Sequence, residues 1–418
     1  MEVFYNKQYY NIKKENVGIE ERQYNEFNEN EKKLIELAKF DKKNNFEAWT
    51  ALGTNIELGY STHSFFRYFG KFPPVISTHL ITKYTDNNDI ILDPMSGSGT
   101  TAVEGLLLNR KTYVNDINPL SVLLAKVKTT YIDKEEILKT LKKLKKIYKP
   151  LSIKEYNYEP VGLKDYTHWF LPETCDSLRG IKKIVEEIKS ENLRNYFLAC
   201  FCAIIRPVSR ATTQQGRLFL DIKTAKEDAF EAFEKKVIKN ADAVNDLKKS
   251  SNINIFSEDI QNYDFNNLNN LVNLIIMHPP YFNSYKYSSI NSLELSWLET
   301  NHADVRKKEI REFFKVGKKE NVEKYIDDMY ESIKNVSKTL KKNGHLAIMI
   351  GDTTIRNEYI PVTNMLIEKI NRDFLNVEKI ILRVPKYTEA SWAASQRRKG
   401  KDVGINICDF IIIFKKVK

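Results

Sequence analysis

The chain has 418 residues, of which 42% are hydrophobic, and its 66 lysines and arginines against 55 aspartates and glutamates give a net charge of +11. A chain of this length is expected to form two or three structural units around a sizeable core. No stretch approaches the roughly 18 consecutive apolar residues of a membrane-spanning helix, and the start, MEVFYNKQYY, lacks a signal-peptide pattern. We therefore expect a cytoplasmic protein with no membrane partner. The positive charge is compatible with a polyanionic partner and equally with solvated, lysine-rich helix faces.

The four cysteines show no CxxC pair and no zinc-site spacing. We expect reduced thiols, most of them buried, in a protein that holds no metal. The cysteines are Cys175, Cys200, Cys202 and Cys408.

The first 60 residues are rich in Asn, Lys and Glu, and one stretch, NEKKLIELAKF, is typical of an amphipathic helix. We predict a polar, helical extension over residues 1–60. After it, DIILD is a short apolar run that ends in an acid, which predicts a buried parallel strand. TTAVEGLLL has helical spacing, KTYVNDINP predicts a second strand, and Pro119 begins another helix. This order predicts a βαβ unit.

Residues 133–250 are charged and mostly helical in pattern, as in KEEILKTLKKLKKIYK, and we predict a helical insertion there. Strand patterns return in NINIFSED, VNLIIMHPPY, GHLAIMIGD, EKIILRV and CDFIIIFKKV. Strands that alternate with helices predict an open, mainly parallel sheet of the α/β class. Residues 61–132 and 251–418 would form this α/β core.

Three acids lie at the carboxyl ends of predicted strands: Asp93, Asp116 and Asp259. Ligands of open α/β sheets bind at that edge. The stretch LDPMSGSGTT after the first strand is not a phosphate-binding loop, because no lysine follows Gly99, and an acid there would repel a pyrophosphate. It suits a cationic, hydroxyl-rich ligand such as S-adenosylmethionine, with Gly97 and Gly99 allowing close backbone approach. Asp116 would bind the ribose, and Asp259 would accept a hydrogen bond from the adenine amino group. The alternative for Gly97 and Gly99 is an ordinary tight turn.

The sequence MHPPY places residues 278–281 at the carboxyl end of another strand. Two prolines fix the backbone and remove two amide donors. Carbonyls of this loop, that of Pro279 among them, could then accept hydrogen bonds from an exocyclic amino group. Such acceptors push the amino nitrogen of a nucleobase towards tetrahedral geometry and free its lone pair for methyl transfer. Tyr281 offers a face on which a base can stack.

Together these segments resemble the amino-methyltransferases of DNA, which make N4-methylcytosine or N6-methyladenine. DPMSGSGTT resembles the cofactor motif of that family, and HPPY resembles its catalytic motif, Asp/Asn/Ser-Pro-Pro-Tyr/Phe. FRYFGKFPP resembles the segment that helps hold the methionine moiety, and GHLAIMIGDTTIRNEYIP resembles a core stretch. The resemblance implies a Rossmann-like sheet of seven strands, one of them antiparallel, with S-adenosylmethionine as the cofactor. The residues predicted to bind the cofactor are Lys71, Phe72, Asp93, Pro94, Ser96, Gly97, Gly99, Thr100, Asp116 and Asp259; those predicted for catalysis are His278, Pro279, Pro280 and Tyr281.

One departure from the family pattern is His278, which stands where the family usually has Asp, Asn or Ser. A neutral imidazole has one acceptor nitrogen, so it can replace one carboxylate oxygen, whereas the protonated ring has none. If His278 takes this role, activity should fall as the pH drops through about 6.5, the value for an unperturbed histidine. The alternative is that His278 is a bystander and the backbone carbonyls suffice.

The cofactor motif precedes the catalytic motif, with the helical insertion between them, as in the family subgroup whose target-recognition region lies there. A base inside a duplex cannot reach such a pocket, so the target must flip out, and double-stranded DNA is the expected partner. Two loops, RPVSRATTQQGR and KYTEASWAASQRRKGKD, have side chains suited to phosphates and base edges, although a solvated polar loop is an equal alternative. The candidate residues are Arg206, Arg210, Gln214, Gln215, Arg217, Gln396, Arg397, Arg398 and Lys399.

The target base stays open between cytosine N4 and adenine N6. In the family, Ser-Pro-Pro-Tyr goes with cytosine and Asp-Pro-Pro-Tyr with adenine, and the longer string HPPYFNSYKYSSINSLELSWLE is more similar to the cytosine-N4 members. We therefore lean to cytosine. Two other functions remain as alternatives: an RNA base methyltransferase, and a homologue that binds nucleic acid without catalysis. A cognate restriction endonuclease would be the functional partner in a restriction–modification system.

Overall fold

The structure is a computed structural model of the chain. It describes residues 17–212, 218–223, 226–250, 252–282, 287–310, 320–355, 358–370, 374–385 and 409–417. Across these ranges, no helix combines the length and the apolar character needed to cross a membrane. The strands are β1 (Gly18–Gln23), β2 (Phe46–Leu52), β3 (Ile90–Asp93), β4 (Lys111–Asn115), β5 (Ile253–Phe256), β6 (Val272–Met277), β7 (Leu340–Gly351), β8 (Thr353–Ile355), β9 (Glu358–Ile360), β10 (Leu375–Arg383) and β11 (Asp409–Lys416). The α-helices are α1 (Glu29–Leu37), α2 (Pro74–Tyr84), α3 (Thr100–Leu107), α4 (Pro119–Lys128), α5 (Lys134–Ile147), α6 (Pro172–Glu186), α7 (Glu191–Val208), α8 (Ala229–Asn245), α9 (Tyr287–Ile290), α10 (Ser292–Trp297), α11 (His302–Lys308), α12 (Glu320–Ser337) and α13 (Val362–Ile370).

Within the described residues, nine strands form one sheet in the order β1-β2-β10-β11-β7-β6-β3-β4-β5. The seven strands from β10 to β5 run in one direction except β11, which is antiparallel to both of its neighbours. The predicted fold class, a mostly parallel Rossmann-like sheet with one antiparallel strand in its core, is confirmed. The short strands β8 and β9 form a separate antiparallel pair.

The sheet is larger than expected because residues 1–60, predicted to be a polar and helical extension, contribute two strands as well as helix α1. β2 lies parallel to β10, and β1 lies antiparallel to β2. Glu47, the second residue of β2, obscured the strand character of this segment in the sequence. Its buried carboxylate accepts a hydrogen bond from the Trp49 indole at 3.1 Å and pairs with Lys379 of β10. A buried acid is tolerated when it is paired, so the segment can join the sheet.

Three neighbouring strands of the sheet, β6, β3 and β4, position the functional loops. β3 lies parallel to both β4 and β6, and every residue of β6 is buried, as expected of a parallel strand covered on both faces. Parallel neighbours end at the same edge of a sheet, so the loops that follow these three strands meet there.

The helical insertion predicted for residues 133–250 contains helices α5, α6, α7 and α8, which share a hydrophobic core with α4 and α10. Trp297 of α10 is fully buried in this core, with edge-to-face contacts to Phe170 and Phe201 at 5.9 Å between ring centroids. The aromatic side chains here therefore serve packing. Three cysteines, Cys175, Cys200 and Cys202, are free thiols buried in the same core, and Cys408 lies outside the described residues.

Candidate active site

An open cleft lies at the carboxyl ends of β3, β4 and β6. Residues of the loop after β3 and residues of the loop after β6 both line it, so the two sequence motifs face a common space. The segment before α2 and the chain around residues 308–310 close the other sides. The lining residues are Tyr68, Gly70, Lys71, Phe72, Pro94, Met95, Ser96, Gly97, Ser98, Thr100, Asn115, Asp116, Ile117, Asn118, Ile260, His278, Pro280, Tyr287, Lys308, Glu309 and Ile310.

The loop after β3 is shaped by backbone hydrogen bonds and two glycines. The Ser96 N–H donates to the carbonyl of Asn115 at 2.9 Å, and the Gly99 N–H donates to the carbonyl of Ser96 at 2.9 Å. Gly97 and Gly99 have φ angles of +51° and +79°, which residues with a Cβ rarely adopt. A Cβ at Gly97 would also lie 3.4 Å from the Tyr68 ring. Both glycines are therefore needed for the turn that borders the cleft.

Asp93 lies beneath this loop and does not line the cleft. Its carboxylate is buried and accepts a hydrogen bond from the N–H of Met95 at 3.1 Å. Burial raises the pKa of Asp93 to about 7. Asp93 therefore stabilises the turn, and its predicted influence on a cationic ligand would act through the loop.

Asp116 faces the cleft from the end of β4. Its Oδ2 accepts from the Gly97 N–H at 2.8 Å and its Oδ1 from the Asn118 N–H at 2.9 Å, so it joins the loops after β3 and β4. Burial raises the pKa of Asp116 to about 6. Two other lining atoms, Asn118 Nδ2 and Ser98 Oγ, are buried and lack a hydrogen-bond partner among the described residues. Buried polar atoms normally have partners, so these two suit a polar ligand.

Asp259, the third predicted acid, does not line the cleft. Its Oδ1 accepts from the Gln261 N–H at 3.1 Å and its Oδ2 from Asn262 Nδ2 at 2.7 Å. The next residue, Ile260, lines the cleft instead. This corner of the site therefore presents an apolar side chain, and a contact between Asp259 and an adenine amino group remains a prediction.

The segment before α2 forms another wall of the cleft, and its Tyr68 lies next to Gly97 of the loop after β3. The Tyr68 hydroxyl hydrogen-bonds to Ser121 Oγ at 2.9 Å, and its ring stacks on Tyr287 with 6.4 Å between centroids. Lys71 lines the cleft as predicted, but its ammonium donates to the carbonyl of His63 at 2.8 Å. Its charge is therefore partly used in holding this segment in place.

A buried polar network links the glycine loop, α3, α4 and the chain before residue 64. Lys128 Nζ donates to the Ser98 carbonyl at 2.6 Å, and Glu104 accepts from the Tyr60 hydroxyl at 2.9 Å and lies 2.7 Å from His63 Nε2. Burial lowers the pKa of His63 and of Lys128 and raises the pKa of Glu104 to about 7. No local pattern predicts this network, because its members lie on separate helices and loops.

Several lining residues were missed by sequence reasoning. Asn118 lies two residues after Asp116 and could have been found as part of the same loop. Tyr287 and Glu309 come from distant parts of the chain and carry no local motif. The Glu309 carboxylate accepts from the backbone N–H and the hydroxyl of Ser288 at 2.9 and 3.0 Å, and burial raises its pKa. A carboxylate so placed adds negative charge to the cleft wall.

The loop after β6 presents His278 and Pro280 to the cleft, whereas Pro279 and Tyr281 do not line it. His278 Nε2 and the Tyr281 hydroxyl are 3.0 Å apart, and the direction of this hydrogen bond depends on the imidazole tautomer. The two rings are nearly perpendicular, at 83°. The carbonyl of Pro280 accepts from the Tyr325 hydroxyl at 2.8 Å. Tyr281 therefore contacts the imidazole, and its stacking on a base remains a prediction.

Two of the residues predicted to read DNA lie within the described ranges. Arg206 is buried; its Nε donates to the Thr212 carbonyl at 2.9 Å and its guanidinium lies 5.1 Å from the centre of the Phe69 ring. This engagement argues against a phosphate contact by Arg206. Arg210 is half-buried just after α7. The other candidates, Gln214, Gln215, Arg217, Gln396, Arg397, Arg398 and Lys399, lie outside the described residues.

The sheet order, the glycine loop after β3, the acid after β4 and the proline pair after β6 define a Rossmann-like α/β protein of the methyltransferase class. The sequence model of the DNA methylase family matches residues 2–127 and 272–417. The chain belongs to this family, and the resemblance drawn from its motifs is confirmed. The unmatched stretch between the two ranges contains helices α5 to α8.

Three curated proteins are similar in sequence. Type II methyltransferase M.MvaI of Kocuria varians is 26% identical over 58% of this chain and 58% of its own length. Type II methyltransferase M.BsoBI of Geobacillus stearothermophilus is 24% identical over 65% of this chain and 60% of its length. Type II methyltransferase M.MjaII of Methanocaldococcus jannaschii is 30% identical over 32% of this chain and 26% of its length. The chain thus spans less than two thirds of each of these relatives.

S-adenosylmethionine is the cofactor of this family, and the residues of the cleft fit it. The carboxylate of Asp116 can accept from hydroxyl or amino groups of this ligand, and the unpartnered Nδ2 of Asn118 can donate to a ligand oxygen or ring nitrogen. Gly97 lines the cleft and has no side chain, so its backbone is open to a ligand. Glu309 also lines the cleft, and its carboxylate suits a cationic ligand. The cleft therefore offers polar and anionic side chains and an accessible backbone, as this ligand requires.

Gly99→Ala should lower both the stability of the protein and its affinity for S-adenosylhomocysteine. A Cβ at Gly99 would lie 3.0 Å from Cα of Ala125 in α4, and the φ angle of +79° is unfavourable for alanine. Backbone strain of this kind costs about 1–3 kcal/mol. Thermal unfolding and calorimetric titration measure the two effects. Gly18→Ala is the matched control, because a Cβ there meets nothing within 4 Å; equal results for both variants would contradict the role given to Gly99.

Proposed function

We propose that this protein transfers a methyl group from S-adenosylmethionine to an exocyclic amino group of a base flipped out of double-stranded DNA. One observation carries the proposal: the glycine loop after β3 and the His-Pro-Pro loop after β6 line the same cleft. A base that enters beside the second loop would lie next to a cofactor held by the first. Membership of the DNA methylase family supports DNA as the substrate.

The cofactor, when bound, supplies an electrophilic methyl group on a positively charged sulfur. In our proposal Asp116 and Asn118 bind its polar groups from the end of β4, where both line the cleft. The backbone of Gly97 approaches it closely, and Ile260 covers an apolar face. Asp116 and Glu309 both carry carboxylates on the wall, and their negative charge favours a cationic ligand over a neutral one.

His278 would act as an acceptor for the target amino group. The proposed role requires Nε2–H to donate to the Tyr281 hydroxyl, 3.0 Å away, because this leaves Nδ1 as the acceptor nitrogen. The Tyr281 hydroxyl can accept this hydrogen bond, so the contact is compatible with the required tautomer and orients the imidazole. The carbonyl of Pro279 is the second proposed acceptor. Together they would draw both amino hydrogens away from the ring plane and expose the nitrogen lone pair.

We propose cytosine N4 as the target, from the likeness of HPPYFNSYKYSSINSLELSWLE to the cytosine-N4 members of the family; adenine N6 is the alternative. Transfer of labelled methyl groups to duplex DNA, followed by digestion to nucleosides, tests this directly. Label in N4-methylcytosine is expected, and label in N6-methyladenine would reverse the choice of base. Label in transfer RNA alone would favour the RNA alternative, and cofactor binding without any transfer would favour a non-catalytic binder.

The helical insertion is the proposed target-recognition region. It contains α5 to α8 and lies in the stretch that the family model does not match, so it is the part of the chain free to differ between recognition sequences. The relatives are named type II methyltransferases, which supports a restriction–modification role with a cognate endonuclease as functional partner. We propose that the protein acts in the cytoplasm, because a bacterial cell keeps its DNA there.

Affinity for S-adenosylhomocysteine should fall as the pH drops through about 6. Burial raises the pKa of Asp116 to about 6, so the group is ionised at pH 8 and protonated at pH 5. The protonated group loses its charge and much of its capacity to accept hydrogen bonds. If the ligand needs the ionised form, its dissociation constant should rise about tenfold for each pH unit well below 6. Calorimetric titration between pH 5 and 8 measures this, and a constant affinity would exclude Asp116 as a ligand.

A further inference from the structure

A second cleft lies on the other side of the segment that borders the proposed active site. Residues 68 and 70–72 of this segment line the active-site cleft, whereas residues 66, 67 and 69 line the second cleft. Helices α7, α8 and α10 supply the remaining walls. Neither the glycine loop nor the His-Pro-Pro loop contributes to it, so the second cleft is distinct from the active site and adjacent to it.

The second cleft has a strongly cationic lining. Lys235 pairs with Glu227 on its wall. Lys236 and Lys239, in contrast, form no ion pair within the part of the chain that the structure describes. Burial and the nearby charge of Lys239 lower the pKa of Lys236. Like charges held together in a partly buried site are stabilised by a bound anion. The lining cations are Arg67, Arg206, Lys235, Lys236 and Lys239.

One buried acid, Glu294, lies among these cations. It is 4% exposed, and its Oε2 has no hydrogen-bond partner among the described residues. Burial raises the pKa of Glu294 to about 7, against the effect of Arg206 nearby. A buried acceptor without a partner costs about 1–3 kcal/mol. Because Glu294 lines the cleft, a ligand with an N–H donor would satisfy this oxygen.

The aromatic wall of the second cleft also suits a planar ligand. The guanidinium of Arg67 lies 5.3 Å from the centre of the Phe69 ring, and that of Arg206 lies 5.1 Å from it. Arg67 is exposed, and both it and Phe69 line the cleft. Arginine planes and aromatic rings are the surfaces on which proteins stack unpaired nucleobases.

We propose that the second cleft binds one nucleotide of the DNA substrate, whose base donates an exocyclic N–H to Glu294 and whose phosphate binds Lys236 and Lys239. This inference rests on the proposed function, because it takes DNA to be the substrate. A lone phosphate would leave the Glu294 acceptor unsatisfied, and an acidic peptide would bring its carboxylates against it. A nucleotide satisfies the cations, the acceptor and the aromatic wall together. Binding of this nucleotide would hold the DNA strand next to the target base, with the segment of residues 66–72 between the two clefts.

Deoxynucleoside monophosphates are suitable probes, used with the full chain in ligand-observed NMR at millimolar concentration. The cytidine, adenosine and guanosine nucleotides, which have exocyclic amino groups, should bind about tenfold more tightly than the thymidine nucleotide, which has none. Glu294→Ala should remove this discrimination, and Glu294→Gln, which keeps the side-chain volume, should reduce it. The double variant Lys236→Ala, Lys239→Ala should weaken all four nucleotides by a similar factor, about tenfold. Lys142→Ala, an exposed lysine of α5 outside the cleft, is the matched control.

Two results would overturn the inference. If the Glu294 and lysine variants bind all four nucleotides as the Lys142→Ala control does, the second cleft holds no nucleotide. If inorganic phosphate competes equally with every nucleotide and the base makes no difference, the cleft is an anion site only. The proposed function fails separately: wild-type protein that binds nucleotides in this cleft but methylates no DNA would remove the proposed function and keep the binding site. If the cleft variants methylate DNA as the wild-type protein does, the proposed function stands and the role of the second cleft in binding the DNA substrate is lost.

Discussion

Replacing Tyr281 by alanine should lower the rate of methyl transfer by about 10- to 100-fold, with little change in affinity for S-adenosylhomocysteine. Stacking of a nucleobase on an aromatic side chain is worth about 1–3 kcal/mol, and this contribution would be lost. The hydrogen bond between the Tyr281 hydroxyl and His278 Nε2, 3.0 Å long, would be lost as well. Tyr281 belongs to the loop after β6 and not to the glycine loop after β3 that is proposed to hold the cofactor, so the binding of the cofactor should change little. Single-turnover methylation and calorimetry measure the two quantities.

Tyr281→Phe separates the two roles of this side chain. The ring remains available for stacking, and only the hydroxyl that orients His278 is removed. Because a single hydrogen bond contributes about 1 kcal/mol, the rate should fall about fivefold, well short of the alanine variant. If phenylalanine and alanine lower the rate equally, stacking is not the role of this residue. If neither lowers it, Tyr281 has no part in the reaction.

Asp116→Ala should raise the dissociation constant for S-adenosylhomocysteine by about 100-fold or more. The carboxylate accepts from the N–H groups of Gly97 and Asn118 at 2.8 and 2.9 Å, and a hydrogen bond to a charged group is worth about 1.5–3 kcal/mol. Removing it would release the two loops that border the cleft and delete the proposed acceptor for the ligand. Calorimetric titration at pH 8, where the group is ionised, gives the largest contrast.

Asp352→Ala is the matched control for this variant. Asp352 is another buried carboxylate, with hydrogen bonds from the Thr363 N–H at 2.7 Å and the Tyr359 hydroxyl at 2.6 Å. Burial raises the pKa of Asp352 to about 6, as for Asp116, but Asp352 does not line the cleft. Its replacement should lower thermal stability comparably and leave ligand affinity unchanged. Equal losses of affinity in both variants would show that destabilisation alone explains the effect of Asp116→Ala.

The α/β core could be predicted because its strands carry their own signal. A strand buried on both faces, such as β3 or β6, is a short continuous apolar run whatever lies around it. β2 could not be recognised in the same way, since its buried acid, Glu47, pairs with Lys379, 332 residues further along the chain. The strand could not be predicted because the two residues of this ion pair lie far apart in the sequence.

The functional loops could be predicted for the same reason, because each lies within one short segment. The orientation of the acids could not. Asp93, Asp116 and Asp259 each accept a hydrogen bond from the backbone N–H two residues further along, as aspartates in turns commonly do. Only Asp116 of these three also faces the cleft. Which acid serves the turn and which faces a ligand depends on how the loops pack, and local sequence does not contain that information.

The most direct test of one shared site for methyl transfer to DNA is to sequence the genomic DNA of a methylation-free bacterial host that expresses this chain. The account predicts methylated amino groups, as N4-methylcytosine in the preferred case, confined to one short recognition sequence and lost with Asp116→Ala. Folded wild-type protein that binds S-adenosylhomocysteine yet leaves every amino group of the DNA unmodified would contradict it.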